Sequence, residues 1–354
     1  MSEDQLISLP QLPYLLGTPK SCGDLRTRPE DFKVFEQLPF ALTGEGEHLF
    51  IHIRKTGTNT LYVARQLARY FKVKEALVSY AGLKDRHAVT EQYFGVHLPG
   101  KANYDLSDLA IDGVEVLSYQ RHNKKLKNGA LSGNNFEITL RNVTDIEDVL
   151  TRWQSILMFG VPNYFGEQRF GINGQNLEAA TTMMQGKKVK DKKKRGFYLS
   201  AARSLVFNSI VAKRIEQGHF LQPLDGDVFM LSGSRSVFLE PKVSAEIIER
   251  LKQRDLNITA AMWGSGELMT TERAKEIELT QAQQYPVLTA GLGKFGLKQE
   301  RRSIRLTIDD ADITDEGSTV SVKFFLPAGS FATTVLRELI DYQDLSQQSQ
   351  ITES

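Results

Sequence analysis

Polar and apolar residues interleave along His48-Leu49-Phe50-Ile51-His52-Ile53-Arg54, a short period that predicts a half-buried strand. Asn59 follows Gly57 and can cap a helix running to about Phe71, with an apolar face built from Val63, Leu67 and either Tyr70 or Phe71. Strand-like runs then occupy residues 76–80, 92–98, 114–119 and 136–140, the last alternating cleanly as Phe136-Glu137-Ile138-Thr139-Leu140, and a helix is expected over 146–159. This order predicts an α+β fold, with helices packed on a mixed, mostly antiparallel sheet.

From Gly160 the pattern becomes mainly helical up to about residue 300, with helices expected over 177–185, 199–217, 243–253 and 272–283. Strands return at 303–308 and 320–326, followed by a helix at 333–341. A strand-rich pattern that is interrupted and then resumes predicts one domain inserted into another, since insertions succeed where a domain's ends lie close together. The division is residues 1–159, an insertion at 160–303, and a second part of the first domain at 304–354. Residues 1–25 read as turn-rich, and 343–354 as a polar, Gln/Ser-rich, frayed tail.

Composition alters this picture little. Hydrophobic residues make up 41% of the 354 and charged residues 25%, ordinary for a globular chain. The net charge of +1 excludes a uniformly basic nucleic-acid binder, so any such surface is local. Two basic runs qualify. One is Arg121-His122-Asn123-Lys124-Lys125-Leu126-Lys127. The other, residues 187–195, carries seven cations and one acid and includes Lys192, Lys193 and Lys194. RNA gripped by both runs, in a cleft between the two domains, is the expectation; a solvated charged face is the plainer reading. A single cysteine, Cys22, rules out an intrachain disulfide or a cysteine-based metal site and fits a reducing compartment. The N-terminal stretch has neither the basic region nor the apolar run of a signal peptide, and no window approaches 18 uninterrupted apolar residues. A cytoplasmic protein without a membrane partner is predicted, as a monomer.

The segment richest in chemistry is Gly82-Leu83-Lys84-Asp85-Arg86-His87-Ala88-Val89-Thr90-Glu91-Gln92. A charged, solvated loop would have the same composition. The functional alternative is a carboxylate held among cations, which stays ionised and can act as a nucleophile, on a loop between two strands, where catalytic groups tend to sit.

This segment resembles the catalytic motif of the TruD family of pseudouridine synthases, Gly-x-Lys-Asp-x-x-Ala-x-x-x-Gln, at every fixed position. Four further stretches resemble that family in the same order: Arg28-Pro29-Glu30-Asp31-Phe32-Lys33-Val34, Gly133-Asn134-Asn135-Phe136, residues 160–171, and Leu326-Pro327-Ala328-Gly329-Ser330-Phe331-Ala332-Thr333. The stretch at 160–171 is similar to the opening of the family's own inserted TRUD domain. The resemblance implies that Asp85 is the nucleophile, that Phe32, Asn134, Phe136 and Phe331 line the uridine site, and that a basic residue partners the carboxylate. Arg26 matches that basic position, Arg28 is its rival two residues away, and Lys84 is a further candidate beside the nucleophile. A phenylalanine is ordinarily a core residue and an asparagine before a strand ordinarily a turn residue, so each assignment has a structural alternative.

Further implications follow from the resemblance. The reaction isomerises uridine to pseudouridine, at uridine 13 in the D arm of tRNA, with attack at either ribose C1′ or uracil C6. It needs no cofactor or metal; accordingly the sequence has no Walker A motif, no clustered Cys/His ligands and no Gly-rich dinucleotide fingerprint. The competing class is a non-catalytic RNA-binding protein or RNA chaperone, which would keep the basic runs and aromatics and would not need Asp85.

Overall fold

The computed structural model describes residues 9–100, 102 and 104–347. The stretch read as turn-rich contains a strand, β1 (Cys22–Leu25), and a second unforeseen strand, β2 (Phe32–Gln37), follows. The alternating stretch becomes β3 (His48–Thr56) and leads into α1 (Thr60–Tyr70), where the Asn59 side chain accepts from the Tyr62 amide at 2.9 Å. Val63 and Leu67 pack on Leu49, Ile51 and Ile53, and both Tyr70 and Phe71 lie partly buried against that cluster. Next come β4 (Val78–Tyr80), shorter than predicted because a 3-10 turn takes Glu75–Leu77, then β5 (Val89–His97) and β6 (Val114–His122). β7 (Gly133–Arg141) starts early enough to place Asn134 within the strand, not in a turn before it, and α2 (Ile146–Phe159) has the predicted bounds.

The mainly helical stretch holds β8 (Val161–Pro162), α3 (Gln175–Met184) and the long α4 (Lys192–Glu216). Residues 201–212 of α4 are buried all round, as befits a helix at the centre of a core. β9 (Val228–Leu231), β10 (Val237–Leu239), α5 (Ala245–Lys252), β11 (Leu256–Met262), α6 (Glu272–Ala282), α7 (Pro286–Lys294), β12 (Glu300–Ser303) and β13 (Arg305–Leu306) follow. The small sheet β10-β9-β11-β12 and α7 were not anticipated. Their strands are short, and Val237–Leu239 is only half-buried, which leaves little periodicity to read.

The last part contains β14 (Asp309–Glu316), β15 (Thr319–Pro327), α8 (Ala332–Leu339) and β16 (Asp341–Asp344). The frayed tail predicted from residue 343 is therefore corrected: β16 pairs in parallel with β1, Cys22 opposite Asp341 through Leu25 opposite Asp344, and a 3-10 turn spans Leu345–Gln347. The remainder of that predicted tail, 348–354, and the first eight residues lie outside the described residues. Among the described residues no helix is long and apolar enough to cross a membrane.

The large sheet runs β14-β15-β7-β2-β5-β3-β6, with β1, β16 and β4 attached off this path. The β2–β5 and β1–β16 pairs are parallel and the other pairs antiparallel, so the sheet is mixed and largely antiparallel. The chain divides into two compact units. One, built on the large sheet, comprises 19–157, 308–332 and the segment from 339; the other comprises 158–307, 333–338 and the N-terminal segment to 18. The N-terminal segment and 333–338, which the sequence pattern assigns to the flanking domain, group with the inserted stretch. Glu338, fully buried, accepts from the Leu15 and Leu16 amides at 3.2 and 3.1 Å, and the Arg337 guanidinium lies 4.0 Å over the Tyr14 ring.

Candidate active site

Asp85 sits on the loop joining β4 to β5, and three buried groups fix the main chain of that loop. The Lys84 amide donates to the Thr60 hydroxyl at 3.0 Å, that hydroxyl donates to Gln92 Oε1 at 2.9 Å, and Gln92 Nε2 returns to the Gly82 carbonyl at 3.5 Å. Thr60 and Gln92 are buried, as is Ala88. The third buried group was not anticipated: Lys55, fully buried on β3, donates from Nζ to the carbonyls of Asp85 and Thr58, each at 2.8 Å. Gln92 of the motif thus has a visible job in holding the loop, the Lys84 side chain ties it to Glu36, and Ala88 is buried where it ends; nothing in the structure explains glycine at 82.

The Asp85 side chain remains 46% exposed. Arg26 meets its carboxylate at 3.0 Å through Nη2, binds Asp344 through Nη1, and lies 4.0 Å over the Phe32 ring. The rival, Arg28, is 61% exposed and faces Asp31 at 3.3 Å. Asp31 also takes Arg141, with contacts at 2.7 and 3.0 Å. Burial pushes the Asp31 carboxyl up, but the hydrogen bonds and charge of Arg141, with help from Arg28, outweigh it and hold it below the usual range. The geometry therefore puts Arg26 on Asp85 and Arg28 elsewhere. Arg26 itself has φ 57°, a left-handed backbone conformation that costs a non-glycine residue about 1 kcal/mol.

Lys84 pairs with Glu36 on β2 at 2.7 Å, not with its neighbour in sequence. Glu36 is buried and also accepts the Tyr93 amide at 2.9 Å. Burial pushes its carboxyl up, against the pull of Lys84 and, more weakly, Lys55.

The candidate walls come from three neighbouring strands in register. Phe32 and Val34 of β2 stand opposite Ile138 and Phe136 of β7, and Glu36 opposite Asn134. Across β7, Phe324 and Leu326 of β15 stand opposite Phe136 and Asn134. Directly paired residues share a face, so Phe32, Glu36, Asn134 and Phe136 lie on one side of the sheet. Phe32 and Phe136 are largely buried and meet edge to face at 6.2 Å, and Phe136 stacks on Phe324 at 5.5 Å. Asn134 Oδ1 is buried, with no hydrogen-bond partner among the described residues. Phe331, half-buried, occupies the turn immediately before α8.

Of the basic residues, Lys124, Lys125 and Lys127 are exposed on the loop after β6, around the buried anchor Leu126. The same loop touches the nucleophile loop, the Gly129 amide donating to the Ala81 carbonyl at 2.7 Å. In the other unit Lys192, Lys193 and Lys194 do not lie on a loop as expected: they form the exposed first turn of α4, capped by Asp191.

A mixed sheet carrying a half-exposed aspartate, gripped by a buried arginine beside an aromatic wall, defines a class by its fold. The solved structure assigned to tRNA pseudouridine synthase D (TruD) from Methanosarcina mazei matches it with a TM-score of 0.70, over 94% of this chain and 97% of that one, at 23% identity. The two chains therefore share one fold. Sequence comparison narrows the class. The family model described as tRNA pseudouridine synthase D (TruD) matches residues 9–190 and 175–339. A relative named tRNA pseudouridine synthase D, from Colwellia psychrerythraea, is 58% identical over 343 residues, 94% of each chain, and one of the same name from Aeromonas salmonicida is 48% identical over 336 residues, 95% of this chain and 96% of its own. The chain belongs to the TruD family.

Proposed function

We propose that the protein isomerises a uridine of tRNA, uridine 13 of the D arm, to pseudouridine, with Asp85 as the nucleophile on a flipped-out nucleotide. The observation that carries this reading is the Arg26–Asp85 pair at 3.0 Å, with the Arg26 guanidinium lying over the ring of Phe32, whose face of the sheet also holds Phe136 and Asn134. Family membership supports tRNA as the substrate and the cytoplasm as the place of action.

The isomerisation breaks the bond between uracil N1 and ribose C1′, turns the freed base, and joins C5 to C1′; the C5 proton is lost and N1 gains one. In this reading Arg26 binds the Asp85 carboxylate and, because Asp344 anchors its other nitrogen, holds it in one place. Attack at C1′ and attack at C6 both start from that carboxylate. Phenylalanine surfaces retain the free base by stacking, about 1–3 kcal/mol per base, without opposing rotation in its own plane. A buried acceptor with no partner needs a reason. Asn134 Oδ1 has one if the imide N3–H of uracil donates to it, a donor that cytosine lacks. Lys124, Lys125 and Lys127 on one unit, and Lys192, Lys193 and Lys194 on the other, serve the phosphates, and their contacts offset the few kcal/mol that unstacking costs.

The test is to incubate unmodified bulk tRNA with the wild-type chain and with Asp85→Asn, map pseudouridine by chemical labelling, and measure affinity for both. Pseudouridine at one D-arm position from wild type alone, with similar affinity for both proteins, is expected. Binding by both with pseudouridine from neither would identify a non-catalytic RNA binder, and activity surviving in Asp85→Asn would overturn the role of Asp85.

A further inference from the structure

Lys55 continues the inward series Leu49, Ile51, Ile53 of β3 and is fully buried. An apolar residue would extend that face at no electrostatic cost, whereas a buried ammonium is expensive unless its surroundings compensate it. Its hydrogen bonds go to two main-chain carbonyls, those of Thr58 and Asp85, at 2.8 Å each. The carbonyl it grips belongs to the residue that carries the proposed nucleophile. The charges that act on it are the carboxylates of Asp85, on the loop, and Glu36, on β2, which favour its proton, and Lys84, on the loop, which opposes it. The paired residue on β5, Thr90, is uncharged.

We infer that Lys55 is a positioning residue for the chemistry of Asp85: its ammonium fixes the main chain from which the carboxylate projects and supplies a buried positive charge that the reaction needs. The inference rests on the reading of Asp85 as nucleophile. A neutral amine can still donate to two carbonyls, but with weaker bonds and without the charge. Burial, partly offset by Asp85 and Glu36, lowers the Lys55 pKa to about 8, so this charge is present at neutral pH and disappears in mild alkali. Activity is accordingly full below about pH 8 and falls as pH rises through that value.

The experiment compares wild type, Lys55→Met and Asp85→Asn as full-length chains on unmodified bulk tRNA. Single-turnover rates at saturating enzyme are followed across neutral and alkaline pH, with tRNA affinity and thermal unfolding measured in parallel. Folded Lys55→Met is expected to react about 10–100-fold more slowly, with affinity within about twofold of wild type and without the inflection that Lys55 imposes; any alkaline limb due to the RNA itself would be common to both proteins. A folded Lys55→Met with the wild-type rate, or with the same inflection, overturns the inference. If Lys55→Met does not fold, the Lys55 amine is titrated by NMR in wild type and in Asp85→Asn. Loss of the Asp85 charge should lower its pKa, and an unchanged value overturns the inference. Activity surviving in Asp85→Asn is the separate result that removes the nucleophile reading on which it rests.

Discussion

Arg26 serves two carboxylates while its guanidinium covers Phe32, and the contrast with Arg28 gives a sharp prediction. Arg26→Met should lower the single-turnover rate by about 10²–10³-fold, the usual cost of losing one oriented charged donor. Arg28→Ala should stay within about threefold of wild type, because Arg28 is 61% exposed and Asp31 keeps Arg141. A large effect of Arg28→Ala, equal to that of Arg26→Met, would mean that the pairing changes when RNA binds. At this scale the legible residues were those inside recognisable motifs, Asp85 and Gln92 among them. Lys55 was legible in principle, since the alternation that buries Leu49, Ile51 and Ile53 also points residue 55 inward; it escaped notice because a lysine at a strand end reads as surface. Asp344 gave no signal. It lies in a polar segment with no apolar period, and only the parallel pairing with β1, a contact between residues more than 300 apart in sequence, brings it to Arg26.

Helix α4 begins with three lysines where the helix dipole favours negative charge. Each cation in a first turn costs about 0.3–1 kcal/mol at low salt, and only Asp191 opposes this, accepting the Lys193 and Lys194 amides at 2.7 and 3.2 Å. Burial of residues 201–212 secures the helix regardless. Changing Lys192, Lys193 and Lys194 together to Ala should therefore leave thermal stability equal or slightly higher. It should also weaken tRNA binding and reduce the slope of log affinity against log salt by up to about 3, near one unit per lost phosphate contact. Unchanged affinity and slope would show these lysines to be a solvated face. The helix start was misread because a run of lysines carries no apolar spacing. β14 was missed for the related reason that Asp309, Asp310, Asp312 and Asp315 leave its eight residues with little to bury.

For the molecule as a whole, the two units are interleaved along the chain, each assembled from widely separated segments. The sequence showed an interruption at residue 160 and a return near 303, because periodicity changes there. It could not show that segments from both ends contribute to both units, because that depends on single buried contacts such as Glu338 with the Leu15 and Leu16 amides. A chain ending at Ile340 loses the whole of β16, leaving β1 without its parallel neighbour and Arg26 without Asp344. It should unfold at a lower urea concentration and lose most of its isomerisation rate, more than Asp344→Asn alone. Urea titration and single-turnover assays of the two variants would check this, and a truncated chain as stable and active as wild type would show β16 to be dispensable.

The same late strand matters while the protein is being made. Residues 333–338 complete one unit and 341–344 the other, so neither is finished until those residues have left the ribosome. The inserted stretch cannot fold to completion as it emerges, in the way a contiguous domain does, and the buried span of α4 must wait for the last segment of its own unit. Such a chain is exposed to aggregation during translation and is a natural client for chaperones; a product arrested between residues 196 and 340 carries Asp85 and both basic runs yet lacks the strand that steadies Arg26.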